Sequence, residues 1–220
     1  MSEPKPLPAR IRDFLRYLPV KVGYERGPFV MSALRKRWVT LRHPHANIHF
    51  GEHTYLGPGF SLHMPHGGTF TTGPRVEFRR GFRAELGPHA RVSIGADTRF
   101  TYYVLIQCST SIDIGERVNF GQSTIVLDGN HRFRDITVPM LEQGYDFNPV
   151  RIEDDVAVTS KCTILADIGA RAFIGANTVV SRPIPAYTVA VGAPARVIDY
   201  FGPPGGEPEE LTERRSRAGS

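Results

Sequence analysis

The chain is poor in sulfur and has no long apolar run. Its two cysteines, Cys108 and Cys162, stand far apart and form no metal or redox motif, which excludes a zinc ribbon or a disulfide framework. A reducing compartment fits that usage. No hydrophobic stretch approaches a transmembrane span and no signal-peptide core follows the first residues, so a cytoplasmic location is the expectation. Charge of one sign is scarcely in excess: 27 Lys and Arg against 22 Asp and Glu leave +5, part of it in the first 42 residues. Nothing there points to nucleic acid. What the chain does have is 22 glycines and 18 prolines among 220 residues, which suits a fold with many regular corners. The length fits one domain with short appendages.

The first ten residues, MSEPKPLPAR, are proline-rich and polar. Over residues 11–42 apolar Ile11, Phe14, Leu15, Leu18, Phe29, Val30 and Leu34 alternate with arginines, at helical spacing on either side of Pro19 and Gly27. Such a basic amphipathic segment can rest on a membrane surface. The preferred reading is a cap across the end of the main domain, because few turns are offered for anchoring. Residues 1–47 are therefore read as tail and helical segment, and residues 199–220 as a carboxy-terminal tail with a short helix over Glu207–Arg215.

Between them runs a beat of six. It starts at Phe50, Leu56 and Leu62, blurs through His63–Gly81, and resumes at Leu86, Ile94, Phe100 and Ile106. A slip of two leads to Ile114, Phe120 and Val126. After a gap come Ile152, Val158 and Ile164, then a second slip to Ile168, Ile174 and Val180. Period six is neither the 3.6 of a helix nor the 2 of a strand. A short strand followed by a corner, three times per coil, explains it: each side of a triangular prism sends one large and one smaller residue inward, and coils stack on one another. The fold class is an all-β solenoid, and Ile114–His131 reads as one full coil.

The repeat over residues 48–198 resembles the hexapeptide-repeat family, whose members form left-handed parallel β-helices. The stretch SRPIPAYTVAVGAPARVI (Ser181–Ile198) looks like that family's exit from the prism. The irregular insertion at residues 131–150 is most similar to the maltose, galactoside and xenobiotic O-acetyltransferase group. The resemblance implies an acetyl-CoA-dependent O-acetyltransferase acting on a hydroxyl of a sugar or glycan precursor. It also implies a homotrimer with its sites between subunits.

One histidine stands at the mouth of the insertion. His131 follows Asp128-Gly129-Asn130, a turn that swings its ring out of the wall, and a neutral imidazole can take the proton of a hydroxyl. The family position that His131 matches is the catalytic base. In the Asp-His-Asn-His form of the motif the first histidine is here Gly129. Asp128 either orients the imidazole, as a triad carboxylate does, or serves only the turn.

For the acyl donor, the resemblance places the backbone N–H of Ser160 opposite the thioester oxygen, where it would stabilise an oxyanion. It places Ala176, Ser181, Arg182 and Arg196 along coenzyme A, the arginines suiting phosphates. Lys161 is an added cation. Thr101 and Ser109 occupy the positions of an Asn and an Asp that hold the sugar in galactoside-type members. Tyr102, Tyr103 and Phe133 could stack on the acceptor or pack between subunits. A tryptophan common in the family is Ala157 here, and the coil after Ile164 is two residues short.

Six histidines from His43 to His66 raise a metal site, with His45 and His63 spaced to stack one coil apart. The central coils offer only His131 and His89, too few ligands, so no metal is expected. Two other readings stay open: an N-acyltransferase on a nucleotide-linked amino sugar, and a non-catalytic scaffold that binds a partner on a β-helix face.

Overall fold

The computed structural model describes residues 16–18, 27–209 and 211–212. Short parallel strands stack into three walls. The first holds Asn47–His49, Thr69–Thr72, Arg91–Ile94, Ser111–Ile114 and Val150–Ile152. The second runs from Tyr55–Leu56 through Glu77–Phe78, Arg99–Phe100, Asn119–Phe120, Ala157–Val158 and Phe173–Ile174 to Thr188–Val191. The third holds Ser61–His63, Arg83–Leu86, Leu105–Cys108, Ile125–Leu127, Thr163–Ile164 and Val179–Val180. Arg196–Tyr200 turns back antiparallel on Thr188–Val191 and closes the last coil.

Side chains alternate across each wall, so the inward set is one continuous core. Phe70, Phe78, Phe82, Phe100, Ile112, Val126, Ile152, Ile164 and Ile168 are all fully buried in it. Phe78, Phe100 and Phe120 stack one above another, with ring centroids 4.9 and 4.8 Å apart and planes within 8°. That spacing is the inter-strand distance itself, so the walls set the stack.

The coil length differs from the expected one. Ile48 pairs with Phe70 and Phe70 with Val92, steps of 22 residues, and Val92 to Ile112 is a step of 20. Ile152, Ile168 and Ile184 then follow at steps of 16. The stretch that blurs the beat, His63–Gly81, is regular wall with wider corners, and Phe70, Val76 and Phe78 within it have no exposed surface. With wider coils His45 and His63 do not stack: His63 stands beside Glu85, while the His45 carbonyl lies against Gly67. Both of these short coils lose their residues after the third wall, at Ile164 to Ile168 and again at Val180 to Ile184.

At the corner between first and second walls, Arg75, Asp97, Arg117, Asp155 and Arg171 form a column, each with φ between 55° and 60°. Their charges alternate, with Arg75–Asp97 and Arg117–Asp155 contacts at 2.6 Å and Arg171–Asp155 at 4.0 Å. Hydrogen bonds from Arg75 and Arg117 hold the Asp97 and Asp155 carboxyls below the ordinary range. These pairs are exposed and each contributes little to stability.

Helix α1 (Gly27–Arg42) lies across the amino-terminal end. Tyr55–Leu56 is the first strand of its wall, and the edge where a preceding coil would bond is taken by the helix. Leu56 N–H donates to Ser32 Oγ at 2.8 Å, and Arg35 donates to the Leu56 carbonyl at 2.9 Å. Val39 enters the core. No helix among the described residues is long and apolar enough to cross a membrane.

Candidate active site

The third wall carries the site because its strand Ile125–Leu127 runs on instead of turning. Val126 points inward, and two residues later Asp128 does as well, in register with Cys108 one coil below. The Asp128 carboxylate is buried and accepts from Ser109 N–H at 2.8 Å, Thr110 N–H at 2.6 Å and Thr110 Oγ1 at 2.8 Å. It makes no hydrogen bond or ion pair with His131. It clamps the corner of the coil below, and of the two readings open for Asp128 no contact supports orientation of the imidazole. The Cys108 thiol beside it is pushed up to about 12, first by burial and then by the Asp128 charge.

Past Asp128 the chain leaves the prism as a two-stranded hairpin, Gly129–His131 against Tyr145–Phe147. The detour therefore starts two residues before His131. A β-carbon on Gly129 would sit 2.5 and 2.7 Å from ring atoms of Phe147, so only glycine lets that ring lie flat on the strand. His131 faces Tyr145, with ring centroids 4.3 Å apart, and Tyr145 stacks on Phe147 at 5.6 Å. The Nδ1 atom of His131 is buried and has no hydrogen-bond partner. Arg132 pairs with Asp146 at 2.6 Å and ties the hairpin's two arms.

Two hollows meet at His131. One of about 470 Å³ is lined by Gln107, Ser109, Asn130, His131, Tyr145 and Phe147. The other, of about 500 Å³, lies on the insertion side and is lined by His131, Phe133, Arg134, Asp135 and Gln143 among others. Of the candidate acceptor residues, Ser109 and Phe133 line hollows that His131 also lines. Tyr145, Phe147 and Gln107 were missed. Only Gln107 left a signal, since it is outward-facing in the strand that precedes Ser109; the aromatic pair depends on antiparallel pairing that no local pattern announces.

The remaining candidates are elsewhere. Ser160 and Lys161 stand at the corner between second and third walls, where Lys161 N–H donates to the Gln122 carbonyl and Asn177 N–H to that of Ser160. Ala176 stacks on Ser160 one coil on. Tyr103 occupies the same corner column, with φ at 57° like Lys161 at 61°. Thr101 is near it, its Oγ1 buried and unpartnered. This corner and His131 are on opposite edges of the third wall, so one chain does not bring Thr101, Tyr103, Ser160, Lys161 or Ala176 to the histidine. Ser181, Arg182 and Arg196 gather around a hollow of about 380 Å³ at the carboxy-terminal end, with Pro194 and Pro208. Among the described residues no three His, Cys, Asp or Glu side chains come together as a metal-binding group.

No protein-family model matches the chain. Over 205 residues it is 32% identical to a Mycobacterium tuberculosis protein described as a probable acetyltransferase. That match covers 86% of this chain but 66% of the relative, so the chain spans just under two thirds of its length. The fold is similar to that of a hexapeptide-repeat acetyltransferase from Vibrio cholerae solved with acetyl coenzyme A. The TM-score is 0.53 at 21% identity, over 88% of each chain. It is also similar to AntD, an N-acyltransferase from Bacillus cereus solved with dTDP and 3-hydroxybutyryl-CoA. Here the TM-score is 0.60 at 17% identity, over 86% of this chain and 94% of that one.

Proposed function

We propose that the chain, whose fold is that of the hexapeptide-repeat left-handed β-helices, is an acetyl-CoA-dependent acetyltransferase acting on a hydroxyl of a sugar or glycan precursor. The observation that carries the proposal is the state of His131. Its imidazole is held against Tyr145 at the junction of two hollows, and its Nδ1 has no hydrogen-bond partner among the described residues. A base so placed is positioned but uncommitted.

In the proposed reaction His131 takes the hydroxyl proton as the oxygen attacks the thioester carbonyl. The tetrahedral oxyanion is met by the Ser160 N–H. The C–S bond then breaks, and the sulfur leaves with the proton as the thiol of coenzyme A. Ser160 and Ala176 give the thin pantetheine arm a smooth edge, with Lys161 beside it; Arg182 and Arg196 suit the phosphates. Because Ser160 and His131 lie on opposite edges of the third wall, the base must come from one subunit and the donor edge from its neighbour. A closed cyclic homotrimer supplies three such pairings.

Complementation tests this. His131→Ala deletes the base, and Ser160→Pro deletes the N–H while leaving the corner's other bonds. Each homo-oligomer should lose activity. Co-expressed and randomly mixed, about a quarter of the interfaces pair an intact base with an intact donor edge, and thiol release should return in proportion. No recovery, with circular dichroism unchanged, would refute a shared site. Unchanged turnover by His131→Ala alone would remove the base assignment.

A second reading has support of its own. The likeness to AntD, whose structure holds dTDP and an acyl-CoA, favours an amine on a nucleotide-linked sugar as acceptor. Comparing thiol release with sugar alcohols and with nucleotide-linked amino sugars decides between them.

A further inference from the structure

Helix α1 has one face on the prism, and among the described residues nothing packs on the opposite face. Val30, Leu34, Trp38 and Leu41 follow one another at i, i+4, i+8 and i+11, one stripe of a helix, and are 60, 55, 65 and 74% exposed. Met31 borders them. Soluble helices put such a stripe inward; here the inward positions are Ser32 and Val39. Charge on the helix is of one sign only: Arg35, Lys36, Arg37 and Arg42, with no Asp or Glu from Gly27 to Arg42. Arg35 is spent on the Leu56 carbonyl, and at 100° per residue Arg37 and Arg42 flank the stripe on its two sides.

The direction of the stripe decides its occupant. Coil-to-coil hydrogen bonds run along the prism axis, and Ser32 and Arg35 complete them at the first strand of the second wall. The opposite face of the helix therefore points outward along that axis. A neighbour beside the prism, with its axis parallel, does not reach it. A copy stacked end to end would set Arg37 and Arg42 against their own counterparts, which like charge disfavours. An anionic, planar, apolar-cored surface satisfies all three features: apolar stripe, cationic flanks and an indole at the boundary.

We propose that α1 docks the protein, end on, onto a membrane surface rich in anionic lipid. In a cyclic assembly with parallel axes all copies present this helix on the same end, so weak contacts add up. The attachment lies in the interface and spans nothing.

Trp38 is the only tryptophan in the chain, so its fluorescence reports this surface alone. The full-length protein is mixed with vesicles of phosphatidylcholine, with and without phosphatidylglycerol. The expected result is a blue shift and co-sedimentation with the anionic vesicles, both weakened in high salt. Replacing Arg37 and Arg42 together by alanine should lower partitioning about thirtyfold, at roughly a factor of five per cation. Leu34→Gln with Leu41→Gln should abolish the blue shift, and in both variants the melting curve should stay as in the parent. Failure to bind anionic vesicles, or equal binding to both compositions, overturns the proposal. So does a blue shift without lipid that grows with protein concentration as the mass doubles, which would mean that a second copy covers the stripe.

Discussion

Asp128 and Thr110 are joined twice across one coil, by an amide hydrogen bond of 2.6 Å and a hydroxyl hydrogen bond of 2.8 Å. With the Ser109 amide added, the carboxylate is held by donors of the coil below and makes no bond to the histidine three residues on. Asp128→Ala therefore leaves buried donors unsatisfied and should lower stability by on the order of 3 kcal/mol in urea unfolding. Below its melting point the variant should keep the pH profile of acyl transfer. A displaced profile at unchanged stability would restore the carboxylate as a partner of His131.

Gly129 controls the hairpin. Gly129→Ala drives a methyl group into the Phe147 ring, which stacks on Tyr145, which in turn faces His131. The expected effect is a drop of about tenfold or more in kcat/KM, since displacements near 1 Å can cost a hundredfold. Stability should hardly change, because the hairpin lies outside the core.

Both thiols should be silent. Burial raises Cys108 to about 12 from an ordinary 9.0, and burial raises Cys162 as well. A thiol reagent at pH 8 should find no reactive sulfur in the native protein and two in denaturant. The sign for stability follows: a raised native value favours the fold below pH 9. That contribution is lost as the pH climbs from about 9 toward 12, where the unfolded chain sheds the proton first. Alkaline unfolding monitored by circular dichroism should be delayed at its onset in Cys108→Ala.

Phe100 stands in the middle of the ring stack, between Phe78 and Phe120. Phe100→Ala should cost about 3–5 kcal/mol in equilibrium unfolding, and Phe100→Leu less than half of that.

From Ile94 onward the prism is legible because each wall spends one large and one small residue per six, and short corners keep that count. Around Phe70 and Phe78 it is not, since coils of 22 residues put extra residues into corners and shift the phase while the walls stay regular. The position of His131 is readable from the turn before it. Asp128 could have been read too: it follows Val126 by two, as Cys108 follows Ile106, and so must point inward. The aromatic floor at Tyr145 and Phe147, and the separation of Ser160 from His131, are set by contacts between distant parts of the chain and leave no periodic trace.

The insertion has one more consequence. On either side of it the walls close without a gap: Ile112 meets Val150, Phe120 meets Val158 and Val126 meets Ile164. The backbone thus makes an excursion that the stack does not need, reaching Ile136 at 99% exposure before returning. A single cut there, at Arg134 for instance, would leave two fragments still zipped together along all three walls. New termini could be opened at the same place, and the old carboxy-terminal half given its own gene, without the solenoid losing a rung.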